Sequence, residues 1–86
     1  MKVNIPSPIR SYTGNKAAVE GKGFTVKDVL GNLDTAYPGI VFRILDEHDR
    51  IRQHIKFYVN NDSATELSTP IKETDTFHII CALSGG

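Results

Sequence analysis

The sequence has little of several things that common protein classes require. It holds one cysteine in 86 residues, which excludes an internal disulfide and a zinc site built on several thiolates. Ten Lys and Arg residues balance ten Asp and Glu residues, whereas non-specific nucleic-acid binding requires a basic excess. No run of about 18 apolar residues is present, and the first residues lack the apolar stretch of a secretion signal. We therefore expect a cytoplasmic, reduced and soluble protein with no nucleic-acid or membrane partner.

The length limits the architecture. A chain of 86 residues predicts a single domain, residues 1–86, with one modest core. Its radius of gyration should be about 12 Å, which leaves no room for two lobes around an enclosed cleft. The three histidines, His48, His54 and His78, do not have metal-ligand spacing, and Gly21-Lys22-Gly23 lacks the spacing of a phosphate loop. We therefore expect no metal and no bound cofactor.

Short elements separated by turn signals cover the chain. One main helix is predicted after Thr25, which can cap it together with Asp28 in a variant of the capping box, and Pro38-Gly39 should end it. Its apolar residues recur on one face: Val26, Val29, Leu30, Leu33 and Tyr37. A short helical segment is predicted at residues 40–45 and an exposed loop at 46–53. Strands are predicted at residues 2–5, 16–20, 55–60, 65–71 and 76–82, with turns at 12–15 and 60–62.

This order of elements predicts an α+β fold. In so small a chain, the helix must lie across one face of a mixed sheet of four to five strands. The first and last strands should be parallel central neighbours, which is the layout of the β-grasp, or ubiquitin-like, fold. Phe57 and Val59 are expected on the face that the helix covers, and Tyr58, His78 and Ile80 on the outer face.

The carboxyl end is the most informative part of the chain. Residues 76–86 contain no Asp, Glu, Lys or Arg side chain. The last strand runs directly into Ala82-Leu83-Ser84-Gly85-Gly86. We predict a flexible, exposed tail at residues 82–86, which reaches at most about 17 Å when extended. Two glycines can enter a narrow channel in dihedrals that are closed to other residues. A diglycine end is often accidental, but after a β-grasp pattern it favours a carboxylate that another enzyme must reach.

With these features the whole chain resembles the small ubiquitin-like sulfur carriers of the MoaD/ThiS family, closest to the branch that serves cysteine and related sulfur biosynthesis. The segments that carry the resemblance are Val3-Asn4-Ile5-Pro6, Tyr12-Thr13-Gly14, Tyr37-Pro38-Gly39-Ile40, Phe57-Tyr58-Val59-Asn60-Asn61-Asp62, Thr74-Asp75 and the tail. Two departures stand out. Cys81 and Leu83 occupy positions where the family often has proline and valine, and residues 63–67 lack the usual longer apolar edge segment.

The resemblance implies a carrier rather than an enzyme. An E1-like adenylating enzyme would use ATP to activate the terminal carboxylate, and a sulfur donor would then displace AMP to leave a thiocarboxylate. Gly86 would supply the reacting carbonyl carbon and Gly85 the clearance, while Leu83 and Ser84 would set the tail in the partner's groove. A sulfur-accepting synthase or sulfurtransferase would be the second partner. From the expected outer face of the sheet, we predict that Tyr58 and Ile80 dock the activating enzyme.

Two alternatives remain open at this point. The chain could be a ubiquitin-like modifier joined through Gly86 to lysines of other proteins, in which case lysine adducts would form in cells. It could also be a β-grasp interaction domain whose tail has no role. The pathway that receives the sulfur is equally open: cysteine or homocysteine formation, molybdopterin, thiamine, a sulfur-containing siderophore or transfer-RNA thiolation. Cys81, between apolar neighbours, is more often a small packed side chain than a reactive thiol.

Overall fold

The computed structural model describes residues 1–82. Five strands form one mixed sheet in the order β2-β1-β5-β3-β4. They are β1 (Lys2–Asn4), β2 (Ala18–Glu20), β3 (Ile55–Val59), β4 (Asp62–Ala64) and β5 (Thr76–Cys81). A 3-10 helix (Ser7–Thr13) and two α-helices, α1 (Val26–Ala36) and α2 (Ile40–Ile44), complete the described fold. The predicted parallel pairing of the first and last strands is confirmed, with Val3 opposite Phe77 at the centre of the sheet, and the β-grasp prediction is confirmed with it.

The main helix begins as the sequence predicts. The Thr25 hydroxyl accepts a hydrogen bond from the Asp28 N–H at 3.2 Å, a cap worth about 1 kcal/mol. The Asp28 carboxylate in turn accepts the N–H of Phe24 at 3.2 Å, one residue before the position that a capping box uses. The face of α1 toward the sheet is buried at Val26, Val29, Leu30 and Leu33. Tyr37, predicted on the same face, is half-buried against the core.

The inner face of the sheet meets this helix. Phe57 on β3 and Phe77 on β5 are buried, with ring centroids 5.2 Å apart in a tilted arrangement that aromatic rings favour. Val59 is half-buried and packs against the same core. The prediction that Phe57 and Val59 share the helix-covered face is therefore confirmed, with Val59 at its margin.

The predicted edge strand at residues 65–71 is wrong. The edge strand is β4, which begins at Asp62, because Asn60 at φ 56° and Asn61 form a two-residue turn that places Val59 opposite Asp62. Residues 65–71 instead lie against the start of α1. The carbonyls of Leu67 and Thr69 accept the first N–H groups of the helix, those of Lys27 and Val26, at 2.9 and 3.0 Å. Donors that a helix leaves unpaired at its start draw this segment away from the sheet.

The connection between β1 and β2 also differs from the prediction. The sequence signals at Pro6 and Pro8 predict only the end of a strand, whereas a 3-10 helix follows, with proline in its first turn. The predicted turn at residues 12–15 is present at its end, where Gly14 and Asn15 have φ values of 64° and 67°. The short helical segment at residues 40–45 is confirmed as α2. Within residues 1–82, no helix is long and apolar enough to cross a membrane.

Candidate functional site at the end of the last strand

At its carboxyl end, β5 is held by a residue that flanks β3. Ala82, which is exposed, donates its N–H to the carbonyl of His54 at 2.7 Å, and at the other end of the strand Asn60 donates to the carbonyl of Thr76 at 2.8 Å. Both pairs belong to the same antiparallel register. The predicted tail residues Leu83, Ser84, Gly85 and Gly86 lie outside the described residues, so their roles stay predictions.

The opposite edge of β5 is partly open. Because hydrogen-bonded and non-bonded pairs alternate in an antiparallel ladder, the N–H and C=O of Cys81 point away from β3 and toward the β1 side. However, β1 pairs with β5 only as far as Asn4 and His78, and Pro6 has no N–H to offer. A groove of about 320 Å³ opens at this point. Its lining includes Pro6, Arg10, Ala17, Ile80 and Cys81.

The side chain of Cys81 lies on the inner face of the sheet. It is half-buried opposite Ile55 and packs against the core. This position agrees with the interpretation of Cys81 as a small packed residue. Among residues 1–82, no group of three His, Cys, Asp or Glu side chains is arranged to hold a metal ion.

The outer face of the sheet carries the predicted docking residues. Tyr58 on β3 lies opposite His78, and Ile80 on β5 lies opposite Lys56, so Tyr58 and Ile80 are diagonal neighbours on one face. Ile80 is 42% exposed, while Tyr58 and His78 are half-buried. His78 also reaches across to β1, where its Nδ1 lies 2.9 Å from the side-chain amide nitrogen (Nδ2) of Asn4. The sheet thus brings Tyr58, His78 and Ile80 together as predicted, and their role in docking stays a prediction.

Sequence reasoning missed an exposed aromatic residue on α2. Phe42 is 63% exposed, and the guanidinium carbon of Arg52 lies 5.0 Å from its ring centroid. The pattern held a signal for it, since Ile40 and Ile44 are four residues apart and define the buried side of α2. A large apolar residue halfway between them falls on the solvent side.

A larger groove lies at the far end of the molecule. Its volume is about 810 Å³, and its lining includes Met1, Gly23, Phe24, Lys27 and Glu73. Phe24 is 81% exposed there. Because β1 and β5 are parallel and Lys2 lies opposite Thr76, Met1 marks the end of the sheet where β5 begins. This groove is therefore remote from the point where the tail leaves.

The Asp75 carboxylate organises the turn that leads into β5. Asp75 accepts the N–H of Lys72 at 2.8 Å and the side-chain amide of Asn60 at 2.9 Å. The backbone hydrogen bond from Lys72, followed by the amide of Asn60, holds the pKa of Asp75 below its usual value of 3.8. The charged form of Asp75 thus helps to fix where the last strand begins.

Comparison with known proteins agrees with this geometry. Residues 3–86 match the ThiS family. The sulfur carrier protein CysO of Mycobacterium tuberculosis is 30% identical over 89 aligned residues, which cover 98% of this chain and 96% of that protein. A chain of the Amycolatopsis orientalis BexX/CysO complex superposes with a TM-score of 0.90 at 32% identity, over 99% of this chain and 98% of that chain. The small archaeal modifier protein 1 of Methanosarcina acetivorans superposes with a TM-score of 0.81 at 26% identity, over 99% and 94%. The chain therefore belongs to the ThiS family and has the ubiquitin-like fold of these relatives.

Proposed function

We propose that this chain is a sulfur carrier whose Gly86 carboxylate is converted to a thiocarboxylate that donates sulfur in biosynthesis. The observation that carries the proposal is the family match, which extends through the diglycine to Gly86. The likeness to a curated sulfur carrier over nearly the full length of both chains supports it. The position of β5 also supports it, because this strand is central in the sheet and anchors Ala82, the first residue of the predicted tail, which we call the foot of the tail.

The proposed chemistry takes place on a partner, an E1-like adenylating enzyme. An oxygen of the Gly86 carboxylate attacks the α-phosphorus of ATP, and pyrophosphate leaves. A sulfide-level sulfur from a donor then attacks the carbonyl carbon of the acyl-adenylate, and the C–O bond to AMP breaks with its electron pair leaving on AMP. The product is a thiocarboxylate anion, and no redox step is needed. The carrier binds no cofactor in this scheme, since the partner uses the ATP.

The carrier's own contribution is presentation. Gly86 supplies the reacting carbon, Gly85 supplies clearance, and Leu83 and Ser84 set the tail in the groove of the partner. The outer face, with Tyr58 and Ile80, docks the activating enzyme, and a sulfur-accepting synthase or sulfurtransferase takes the thiocarboxylate in the next step. A half-exposed Ile beside a Tyr suits such a surface, because aromatic and aliphatic side chains with polar surroundings are typical of protein interfaces.

The proposal is tested by incubating the protein with its activating enzyme, ATP and sulfide. Exact mass and peptide mapping should then show one oxygen replaced by one sulfur at Gly86. Exact mass is required because oxidation of Met1 or Cys81 gives nearly the same shift. Deletion of Gly86 should abolish the change, and an unmodified terminus in the wild-type protein would contradict the proposal.

Cys81 provides the matched control for this experiment. A Cys81→Ser variant should accept and deliver sulfur like the wild type, because the proposed acceptor is the Gly86 carbonyl. If sulfur transfer is lost in this variant while its fold is kept, the sulfur travels through Cys81 instead.

A second candidate is a ubiquitin-like protein modifier. The likeness to the archaeal modifier protein favours it, and it requires the same activation of Gly86. The two functions differ in the fate of the activated end, which the modifier would pass to a lysine amine as an amide. Mass spectrometry of cellular proteins for lysines that carry the carboxyl-terminal peptide of this chain separates them, because a sulfur carrier alone leaves none. Trypsin would leave residues 73–86 on such a lysine, since Lys72 is the last Lys or Arg residue of the chain.

A further inference from the structure

The solvent side of α2 presents an aromatic ring beside fixed cations. Ile40 and Ile44 are fully buried, whereas Phe42 faces solvent. Arg52 lies over the Phe42 ring and donates its Nε–H to the Phe42 carbonyl at 2.9 Å. Arg43, the next residue along α2, donates its Nε–H to the Tyr12 hydroxyl at 2.9 Å. We call Phe42, Arg43 and Arg52 the α2 patch.

The two arginines are held in place without a carboxylate. Within residues 1–82, neither forms an ion pair, since the ion pairs found there are those of the Met1 amine with Glu20 and of His48 with Glu47. The nearby Asp46 carboxylate is occupied by backbone N–H groups of its own loop, at 2.8 and 3.0 Å. Each guanidinium is therefore oriented through Nε, and its terminal NH₂ groups can meet an external carboxylate in a fork geometry.

The α2 patch lies near the foot of the tail. Arg52 precedes His54 by two residues, and the His54 carbonyl accepts the N–H of Ala82. The four residues from Leu83 to Gly86 span at most about 14 Å. A partner that holds Gly86 in its active site thus brings the entrance of that site over the foot of the tail, within reach of the patch.

We propose that the activating enzyme docks on the α2 patch, with an apolar pocket for Phe42 and carboxylates opposite Arg43 and Arg52. Exposed aromatic and Arg side chains are the types that dominate binding energy at protein interfaces. The partner is an acidic protein surface rather than a nucleic acid, because the chain as a whole has a formal net charge of zero and phosphate-backbone binding requires a basic excess. This inference rests on the proposed function and adds a second docking surface to the outer face of the sheet, which carries Tyr58 and Ile80.

The test is steady-state activation, measured as ATP–pyrophosphate exchange at varied concentrations of carrier. Phe42→Ala should raise KM for the carrier by about tenfold with kcat unchanged, as expected for loss of an aromatic anchor. Arg43→Glu should raise KM by a similar factor, and the effect should shrink at high salt, because charge pairs at an interface steer association. Arg43 is exposed, so this reversal perturbs the fold less than a change at the half-buried Arg52.

Matched controls lie at the far end of the molecule. Phe24→Ala removes a ring that is more exposed than Phe42, at 81% against 63%, and Lys22→Glu reverses a charge that is exposed like Arg43. Both should leave KM within about twofold, like other contacts outside an interface. Circular dichroism confirms that each variant is folded. If the wild type is activated and the α2 variants match these controls, or if the loss falls on kcat, the docking surface is wrong while the proposed function stands. If the wild type is not activated at all, the proposed function fails and this inference fails with it.

Discussion

Proline should destabilise the protein more at a β5 residue whose N–H is hydrogen-bonded to β3 than at a β5 residue whose N–H is not. In the register of β5 with β3, Ile80 lies opposite Lys56 in a hydrogen-bonded pair, whereas Cys81 lies opposite Ile55 in a non-bonded pair. Ile80→Pro therefore removes a ladder donor between two central strands. Cys81→Pro removes an N–H that points to the edge that β1 has already left.

The size of the difference follows from these bonds. Loss of the Ile80 bond costs about 1 kcal/mol, and the carbonyl of Lys56 left without its donor adds about 1–2 kcal/mol. Cys81→Pro loses no ladder bond and only part of a small packed side chain. The reduced freedom of the unfolded chain stabilises both proline variants alike, by about 0.4–1 kcal/mol, and cancels from their difference. We expect Ile80→Pro to be less stable than Cys81→Pro by about 2–3 kcal/mol. In a domain of this size that corresponds to a difference in Tm of roughly 10–20 °C.

The assay is thermal and urea unfolding of both variants, followed by circular dichroism. The wild type and a Cys81→Ala variant serve as references, because Cys81→Ala removes the thiol and keeps the N–H. Equal destabilisation by the two prolines would refute the reasoning, since it would mean that the N–H of Cys81 has a partner that stabilises the fold. The expected result also explains the departure at position 81, where this chain has Cys and the family often has Pro. Either residue fits there, because the N–H at this position makes no ladder bond to β3.

Three further predictions address docking, the helix and pH. Ala at Tyr58 and at Ile80 should slow activation of the carrier without unfolding it, and unchanged rates would show that the outer face does not dock the enzyme. Gly31→Ala should stabilise the protein by about 0.5–1 kcal/mol, because a Cβ there meets no atom within 4 Å; a lower urea midpoint would contradict this. The pKa of Asp75 is lowered in the folded protein, so its contribution to stability is present above its unfolded pKa and is lost as pH falls through the folded pKa. Asp75→Asn should therefore be less stable at neutral pH and lose less stability on acidification than the wild type, as pH-dependent urea unfolding can measure.

The parts of the fold that the sequence predicts well are those decided by local chemistry. The start of α1 needs only the Thr25 hydroxyl and an apolar face at helical spacing, and both are visible in a short window of sequence. The alternation in residues 55–59 likewise fixes which side chains of β3 face the core. The parallel pairing of β1 with β5 followed from the small size of the chain together with the order of its elements.

The parts that the sequence did not predict depend on distant partners. Residues 65–71 have the composition of an edge strand, but the unpaired N–H groups at the start of α1 compete for their carbonyls. Asp62 and Ser63 are poor strand formers, and they join the sheet because the turn at Asn60 directs them back along β3. The α2 patch was missed for a similar reason, since Arg52 and Phe42 are ten residues apart and meet only in the folded chain.

Under the proposed function, a partner that pulls on the carboxyl end in line with β5 loads this strand along its own axis. Hydrogen bonds to the antiparallel β3 run perpendicular to that axis and those to the parallel β1 run at a slant. Such a force therefore loads them mainly in shear and shares the load among them instead of opening one bond after another. β5 is held in this way on both sides, by five residue pairs with β3 and three with β1. The pairing of β5 on both sides therefore resists unravelling of the sheet from the carboxyl end of this strand.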